Sequence, residues 1–268
     1  MTSVEIIVVG NEVLLGVVQD TNSSYLCRVM RAAGTRVRHI AVVADEIPEI
    51  VSAVKSALSR GAGIIFTCGG LGPTVDDLTL AAVSEAAGRP LLLNDQAREF
   101  VAGRYRALAK AGLVDSPEMS DSRLKMANLP DGALVVENPV GTAPAAIVMV
   151  SRSRIVSLPG VPAELKAIIE GPLQPLLAEW LGPAGYYEQE LEVECRDESV
   201  LAPILRQAAE RHPTAYIKSR AAVFGQGITF RVLIASGGKS REAAQATAGA
   251  VSEDLRMAFS AAGIRVRD

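Results

Sequence analysis

The chain has 268 residues, 49% of them hydrophobic but only 4% aromatic, so a core of Ala, Val, Leu and Ile is expected. Lys and Arg number 27 against 30 Asp and Glu, which removes the general electrostatic argument for a nucleic-acid binder, and no DNA partner is expected. Three scattered cysteines exclude a disulfide framework and disfavour structural zinc. No leader and no apolar run approaching the ~18 residues of a membrane span is visible, so a cytoplasmic protein without membrane partners is expected.

Short apolar strands alternate with amphipathic helices over the first two thirds of the chain. This β-α-β-α-β-α order predicts an α/β fold in which a parallel sheet carries helices on both faces. The predicted strands span residues 4–9, 36–43 and 63–67, and the helices run from Thr21 or Asn22 to Gly34, from Pro48 to Gly61, and over 78–87.

The following segments predict further helices and strands around one long connection. Residues 116–132 are predicted to be irregular and polar, a length that such folds usually keep for function. The remaining predictions are helices over 95–111 and 162–170 and strands over 134–136, 145–150 and 155–158, the last two joined as a hairpin around 151–154.

A Pro- and Gly-rich stretch, residues 171–185, predicts a domain boundary, which divides the chain into domains 1–172 and 183–268. The second domain is predicted to be a smaller α+β unit whose sheet is covered on one face. It contains no carboxylate cluster or nucleophile motif, so the chemistry is expected in the first domain. Its predicted elements are strands 188–195, 214–219 and 227–235 and helices 200–211 and 241–262.

The most informative segment is GGLGPTVDD, residues 69–77, between a predicted buried strand and a predicted helix. Three glycines in its first four residues let backbone amides approach a phosphate, at the edge where open α/β sheets bind ligands. Asp76 and Asp77 would repel a phosphate directly, so a divalent cation between them is expected. The alternative is a Gly-rich turn in which Asp77 caps a helix.

Further charged residues are candidates for the same chemistry. Glu12, which follows the first strand, can join Asp76 and Asp77 around a metal if these loops are neighbours; a solvated Glu12 is the alternative. Lys125 in the polar connection can neutralise phosphate, or it is simply solvated.

Two turn-rich segments, NPVGTAP and LPGVPAE, flank the predicted hairpin and can complete a ligand pocket. Gly141 and the Thr142 hydroxyl suit phosphate or ribose oxygens, although a tight strand connection explains the same residues. Amides after Gly160 suit a second anion or a base. Glu164 is then a ligand contact, or only a charge in the first turn of a helix.

These motifs occur in one order along the chain: GNEVLLG (10–16), Asn22, Ala44-Asp45, GGLGPTVDDLT (69–79), LPDGA (129–133), NPVGTAP (138–144) and LPGVPAE (158–164). Together they resemble the N-terminal domain of CinA, the competence/damage-inducible protein, in the molybdopterin-binding superfamily that includes MogA and MoaB. The resemblance covers about residues 4–170. Residues 186–268 resemble the KH-type domain that follows in CinA, and the C-terminal deamidase domain of CinA is expected to be absent.

The resemblance implies a three-layer α/β/α fold and divalent-metal-dependent hydrolysis of ADP-ribose, or of an FAD-like dinucleotide, to AMP. Asp76 and Asp77, with Glu12, would hold a magnesium, manganese, cobalt or nickel ion; one of the aspartates would act as general base, and Lys125 would offset leaving-group charge. The diphosphate would lie on Gly69, Gly70, Leu71, Gly72, Pro73 and Thr74, and the nucleotide on Asn138, Gly141, Thr142, Pro159, Gly160, Pro162 and Glu164.

The sequence departs from the family pattern at Asn11, Met126 and Ala145, where the family carries Asp, Gln and Gly. The alternatives are a molybdopterin-binding or adenylylating protein of molybdenum cofactor metabolism, or a non-catalytic nucleotide or pterin binder. RNA binding by the KH-like domain is a further idea, although no GXXG loop lies between its helices. The expected partners are therefore a small-molecule nucleotide or pterin and a second copy of the chain, since relatives are often symmetric oligomers.

Overall fold

In the computed structural model of the protein, residues 2–182, 185–221 and 229–267 are described. They divide into two compact units, one of residues 1–29 and 36–180 and the other of residues 30–35 and 181–268. No helix within the described residues combines the length and the apolarity that crossing a membrane requires.

The first unit is built on a six-stranded sheet with helices around it. The strands of the unit are β1 (Val4–Val9), β2 (Val37–Val43), β3 (Ile64–Cys68), β4 (Leu91–Leu93), β5 (Asn128–Pro130), β6 (Leu134–Val136), β7 (Ala145–Val150) and β8 (Ser153–Leu158). Of these, β4 and β5 form a separate two-stranded sheet. The helices that lie wholly or mostly in this unit are α1 (Asn11–Leu14), α2 (Asn22–Ala32), α3 (Ile47–Ser59), α4 (Thr79–Ala87), α5 (Asp95–Lys110), α6 (Asp121–Lys125), α7 (Pro162–Glu170) and α8 (Gln174–Leu181).

The sheet has the strand order β2-β1-β3-β8-β7-β6, in which the first four strands are parallel and β7 is antiparallel to both of its neighbours. All six residues of β1 are buried, as expected for a strand covered on both faces. Val54 of α3 and Val83 of α4 pack with Ile7 and Ile65 on one face. The predicted mostly parallel three-layer α/β fold is confirmed.

One prediction about the connections in this unit is wrong. Residues 116–132 contain α6, whose Ser120 side chain accepts a hydrogen bond from the Arg123 amide, and β5, which pairs antiparallel with β4. The Pro- and Gly-rich stretch 171–185 contains α8, and the division between the two units, after residue 180, falls within it. Pro175 lies in the first turn of that helix, where a missing amide costs nothing, and Leu177 is buried.

The second unit is a four-stranded antiparallel sheet with two helices. Its elements are β9 (Gly185–Glu194), α9 (Glu198–Arg211), β10 (Ala215–Ala221), β11 (Thr229–Gly238), α10 (Arg241–Ala261) and β12 (Arg265–Arg267), and its strand order is β10-β11-β9-β12. Alternate residues such as Val193 and Val232 pack against Leu255 and Phe259 of α10. This is the predicted smaller α+β arrangement, while its likeness to a KH-type domain stays a prediction. Residues 227 and 228 of the predicted third strand lie outside the described residues.

Candidate functional site at the carboxyl edge of the parallel sheet

A cavity of about 500 Å³ lies where the parallel strands of the first unit end. This is the edge at which open α/β sheets bind ligands, because the loops after neighbouring strands converge there. The loops that follow β1, β2, β3 and β8 all contribute to its wall. Its lining residues are Val9, Glu12, Asp45, Gly69, Gly70, Leu71, Gly72, Pro73, Asp76, Asp77, Met126, Thr142, Ala143, Pro159, Gly160, Val161 and Glu164.

Most of the predicted site residues line this cavity, and five do not. Thr74, Lys125, Asn138, Gly141 and Pro162 are absent from its wall. Four of these support residues that do line it, as their hydrogen bonds and close contacts show below. Pro162 occupies the first turn of α7.

The glycine loop after β3 has a backbone conformation that residues with a side chain rarely adopt. Gly69 has a φ of 110° and Gly70 a φ of 66°, in the region that side chains disfavour. A Cβ at Gly69 would also collide with the carbonyl oxygen of Val9, and one at Gly70 with the hydroxyl of Thr79. That hydroxyl donates to the Gly69 carbonyl at 2.8 Å and so joins the loop to the start of α4.

Three consecutive amides of this loop are open to a ligand. Among the described residues, the backbone N–H groups of Gly70, Leu71 and Gly72 have no protein acceptor, although all three residues line the cavity. By contrast, the Gly69 amide donates to the Leu158 carbonyl at 3.0 Å. A row of unsatisfied amides before a helix is an arrangement that binds phosphate oxygens.

Asp76 and Asp77 are held beside these amides by Thr74. The Thr74 amide donates to Oδ2 of Asp77 at 2.8 Å, and its hydroxyl lies 2.6 Å from the same oxygen and also contacts Oδ1 of Asp76. Hydrogen bonds from the Thr74 hydroxyl and a backbone amide lower the pKa of Asp76 below its usual value, with help from the charge of Lys125. Asp76 is therefore a carboxylate at neutral pH.

Lys125 contacts this turn without lining the cavity. Its ammonium donates to the carbonyl oxygen of Thr74. In this position it stabilises the turn that presents the aspartates. Its predicted contact with a leaving group stays a prediction.

The carboxylates do not form the predicted three-residue metal centre. Glu12 lines the same cavity as Asp76 and Asp77, but no three His, Cys, Asp or Glu side chains of the described chain come together as a metal-binding group. The two aspartates alone suit magnesium, which proteins usually hold with one or two carboxylates and the phosphate oxygens of the substrate. The residues present therefore fit a cation that arrives with a phosphorylated ligand.

The loop after β6 supports the opposite wall of the cavity. Asn138, 1% exposed, accepts hydrogen bonds from the Val140 and Gly141 amides at 3.2 and 2.8 Å. Its amide nitrogen donates to the Ala143 carbonyl at 2.9 Å and to Oε2 of Glu164 at 2.6 Å. Both hydrogens of that amide are thereby used, so Asn138 positions Glu164 and has none left to donate to a ligand.

Three further residues contribute to the site without a predicted role. Asp45 lines the cavity and accepts from the Asn11 amide at 2.7 Å. The Asn22 side chain donates to the Gly160 carbonyl at 2.7 Å. Arg104 of α5 donates to the Val140 and Gly141 carbonyls, each at 2.7 Å. Asn22 and Asp45 stand in the motifs that carry the resemblance, whereas no signal in the sequence marks Arg104.

Of the three departures from the family pattern, the one at Met126 changes the wall of the cavity. Met126, where the family has Gln, is 1% exposed, lines the cavity and packs with Leu71 and Leu80. This part of the wall is therefore apolar. Ala145 is fully buried in β7, and Asn11 uses its backbone amide to bind Asp45.

Comparison with known proteins agrees with this fold. Residues 5–179 match the family model described as "Probable molybdopterin binding domain". Protein PH0439 of Pyrococcus horikoshii is 40% identical over 77% of this chain and 80% of its own length. A protein of Pyrobaculum arsenaticum is 38% identical over 93% of this chain and 92% of its own.

Among solved structures, the chain is similar to the protein CinA, of unknown function, from Thermoplasma acidophilum. The two share 32% identity and a TM-score of 0.58 over 66% of this chain and 98% of that one. The family match spans the glycine loop, both aspartates and the Asn138 and Glu164 loops. The chain therefore belongs to the molybdopterin-binding domain family, and it is CinA-like over that domain.

Proposed function

We propose that the protein binds a pterin phosphate of the molybdopterin class in this cavity and transfers an adenylyl group to it from ATP. The observation that carries the proposal is the row of open amides at Gly70, Leu71 and Gly72 beside the carboxylates of Asp76 and Asp77. The match to the molybdopterin-binding domain family is the reason for choosing a pterin as the ligand. The amides suit phosphate oxygens, and the aspartates suit the cation that a polyphosphate carries.

The protein's own groups then have distinct tasks. The Gly70–Gly72 amides would donate to phosphate oxygens and hold the pterin phosphate and the α-phosphate of ATP in position to react. Asp76 and Asp77, kept in place by Thr74, would hold a divalent cation, which supplies neutralisation of charge on the phosphate oxygens. A phosphate oxygen of the pterin attacks the α-phosphorus of ATP, and pyrophosphate leaves.

Hydrolysis of diphosphates of the ADP-ribose type is the second candidate, and it uses the same residues. The observation that favours it is the exposure of Asp76, whose lowered pKa keeps it charged and able to orient a water molecule. The products would then be AMP and ribose 5-phosphate. The two candidates differ in the attacking oxygen, which belongs to the pterin phosphate in one and to water in the other, and in the leaving group, which is pyrophosphate in one and ribose 5-phosphate in the other.

Product analysis separates them. The purified protein would be incubated with ATP and molybdopterin, and separately with ADP-ribose, each with magnesium, manganese, cobalt or nickel. Adenylylated pterin with pyrophosphate supports the first candidate, and AMP from ADP-ribose supports the second. Nucleotide binding without either product would contradict both and leave a binding protein.

The matched variants are Asp77→Asn and Asp115→Asn, the latter at an exposed position outside the cavity. We expect Asp77→Asn to lower turnover at least 100-fold, since a lost electrostatic partner of a transition state costs about 10²–10³ in rate. Nucleotide binding should remain measurable, because the amides are unchanged. Full turnover in Asp77→Asn would overturn the assignment of this residue.

A further inference from the structure

All the charged side chains in the wall of the cavity are acidic. Five carboxylates line it, and no Lys or Arg is among its lining residues in the described part of the chain. A carboxylate only accepts hydrogen bonds, so an oxygen that neither the protein nor a cation engages suits a donor on the ligand. The five are Glu12, Asp45, Asp76, Asp77 and Glu164.

Glu164 differs from the others in the way it is fixed. Its Oε2 accepts from Asn138 at 2.6 Å, and the orientation of the Asn138 amide is set by the two backbone amides that donate to its oxygen. A Cβ at Gly141 would collide with both side chains of this pair, so the glycine makes room for them. Arg104 in turn holds the carbonyls of Val140 and Gly141.

The result is a carboxylate with one oxygen anchored and the other without a hydrogen bond within the described residues. Such a fixed acceptor suits a ring edge that presents adjacent N–H donors. A 2-amino-4-oxo pterin has this edge, with N3–H beside the 2-amino group. Adenine does not, because its amino group lies beside a ring nitrogen that carries a lone pair.

We propose that Glu164, positioned by Asn138, is the specificity residue that recognises the 2-amino-4-oxo edge of the pterin ring. This inference rests on the proposed function, because it requires the pterin to bind in this cavity. It assigns the two ends of the ligand to different walls: the phosphate to the Gly70–Gly72 amides and the ring to Glu164.

The test compares two rings that differ at one substituent. Binding of the phosphate esters of 6-hydroxymethylpterin and of 6-hydroxymethyllumazine, which has an oxygen in place of the 2-amino group, would be measured by fluorescence titration. The wild-type protein should prefer the pterin by about 10- to 100-fold, the effect of a hydrogen bond to a charged group. Glu164→Gln, which keeps the size of the side chain, should reduce the preference below about threefold.

Glu85→Gln is the matched control, because Glu85 is exposed on α4 and does not line the cavity. Its preference should equal that of the wild type, and thermal unfolding would verify that both variants are folded. If the wild type binds both rings equally, or if Glu164→Gln keeps the preference, this inference is overturned while the pterin site stands. If the wild type binds neither ring, the proposed function fails and the inference fails with it.

Discussion

At the scale of single residues, Gly69 is a position at which two separate features exclude a side chain. Its φ of 110° and the carbonyl oxygen of Val9 both exclude a Cβ. Gly88 offers a matched comparison, since it also has a positive φ, of 64°, but its Cβ would meet open space.

Gly69→Ala should therefore be more destabilising than Gly88→Ala. The second change costs only the left-handed backbone, about 1 kcal/mol, whereas the first adds a steric collision that must move β1 or the loop. Urea denaturation of both variants measures the difference. Equal losses of unfolding free energy would show that the Gly69–Val9 contact is not tight.

The sequence predicts which residues lie together where a motif is local. The glycines and aspartates of residues 69–77 meet in one turn because they are neighbours in the chain, so their spacing alone brings them together. Arg104 could not be found in this way. It reaches the Gly141 carbonyl from a helix 37 residues away, and an arginine on a helix surface carries no sign of its target.

At the scale of elements, α2 and α7 are tied together beside the cavity. Asn22 of α2 binds the Gly160 carbonyl, and the Tyr25 hydroxyl donates to Glu170 of α7 at 3.1 Å. Partial burial, with the hydrogen bond and charge of Glu170, raises the pKa of Tyr25 to about 12.

The Tyr25 contact predicts a pH dependence of stability. An unfolded tyrosine loses its proton near pH 10, whereas the folded protein keeps this proton until about pH 12. Stability therefore falls between these values as pH rises. Tyr25→Phe should flatten this fall, as measured by urea unfolding from pH 9.5 to 11.5. An unchanged slope would contradict the contact.

The longer elements were predictable because their apolar residues repeat with a clear period. Helix α3 buries Ile50, Val54 and Ala57 on one face, and β1 is apolar at every position but one. The three-residue strands β4 and β5 were missed, because a pairing of three residues is decided by the partner strand and not by its own pattern.

At the scale of the whole molecule, the two units have separate hydrophobic cores. One contains Ile7, Val54 and Ile65, and the other contains Val193 and Leu255. The cavity belongs entirely to the first unit. The division after residue 180 falls within the Pro- and Gly-rich stretch 171–185, although that stretch also contains α8.

Separate cores predict two calorimetric unfolding transitions. Magnesium with ADP should raise the transition of the first unit alone, by about 2.7 kcal/mol of stability at a ligand concentration 100 times the Kd. Asp77→Asn should reduce this shift more than Asp115→Asn does. A single transition that moves as a whole with ligand would show that the units unfold together.

The contact between Gly69 and Gly160 has a consequence for how this architecture diversifies. A Cβ on Gly160 would lie 3.3 Å from the Cα of Gly69, so two turns far apart in the chain meet backbone to backbone. Because both residues are glycines, this part of the wall has no side chain whose replacement could change which ligand binds. Exchange of residues 138–143 or 161–164 between relatives should transplant ring selectivity, whereas exchange of 69–72 should leave it unchanged.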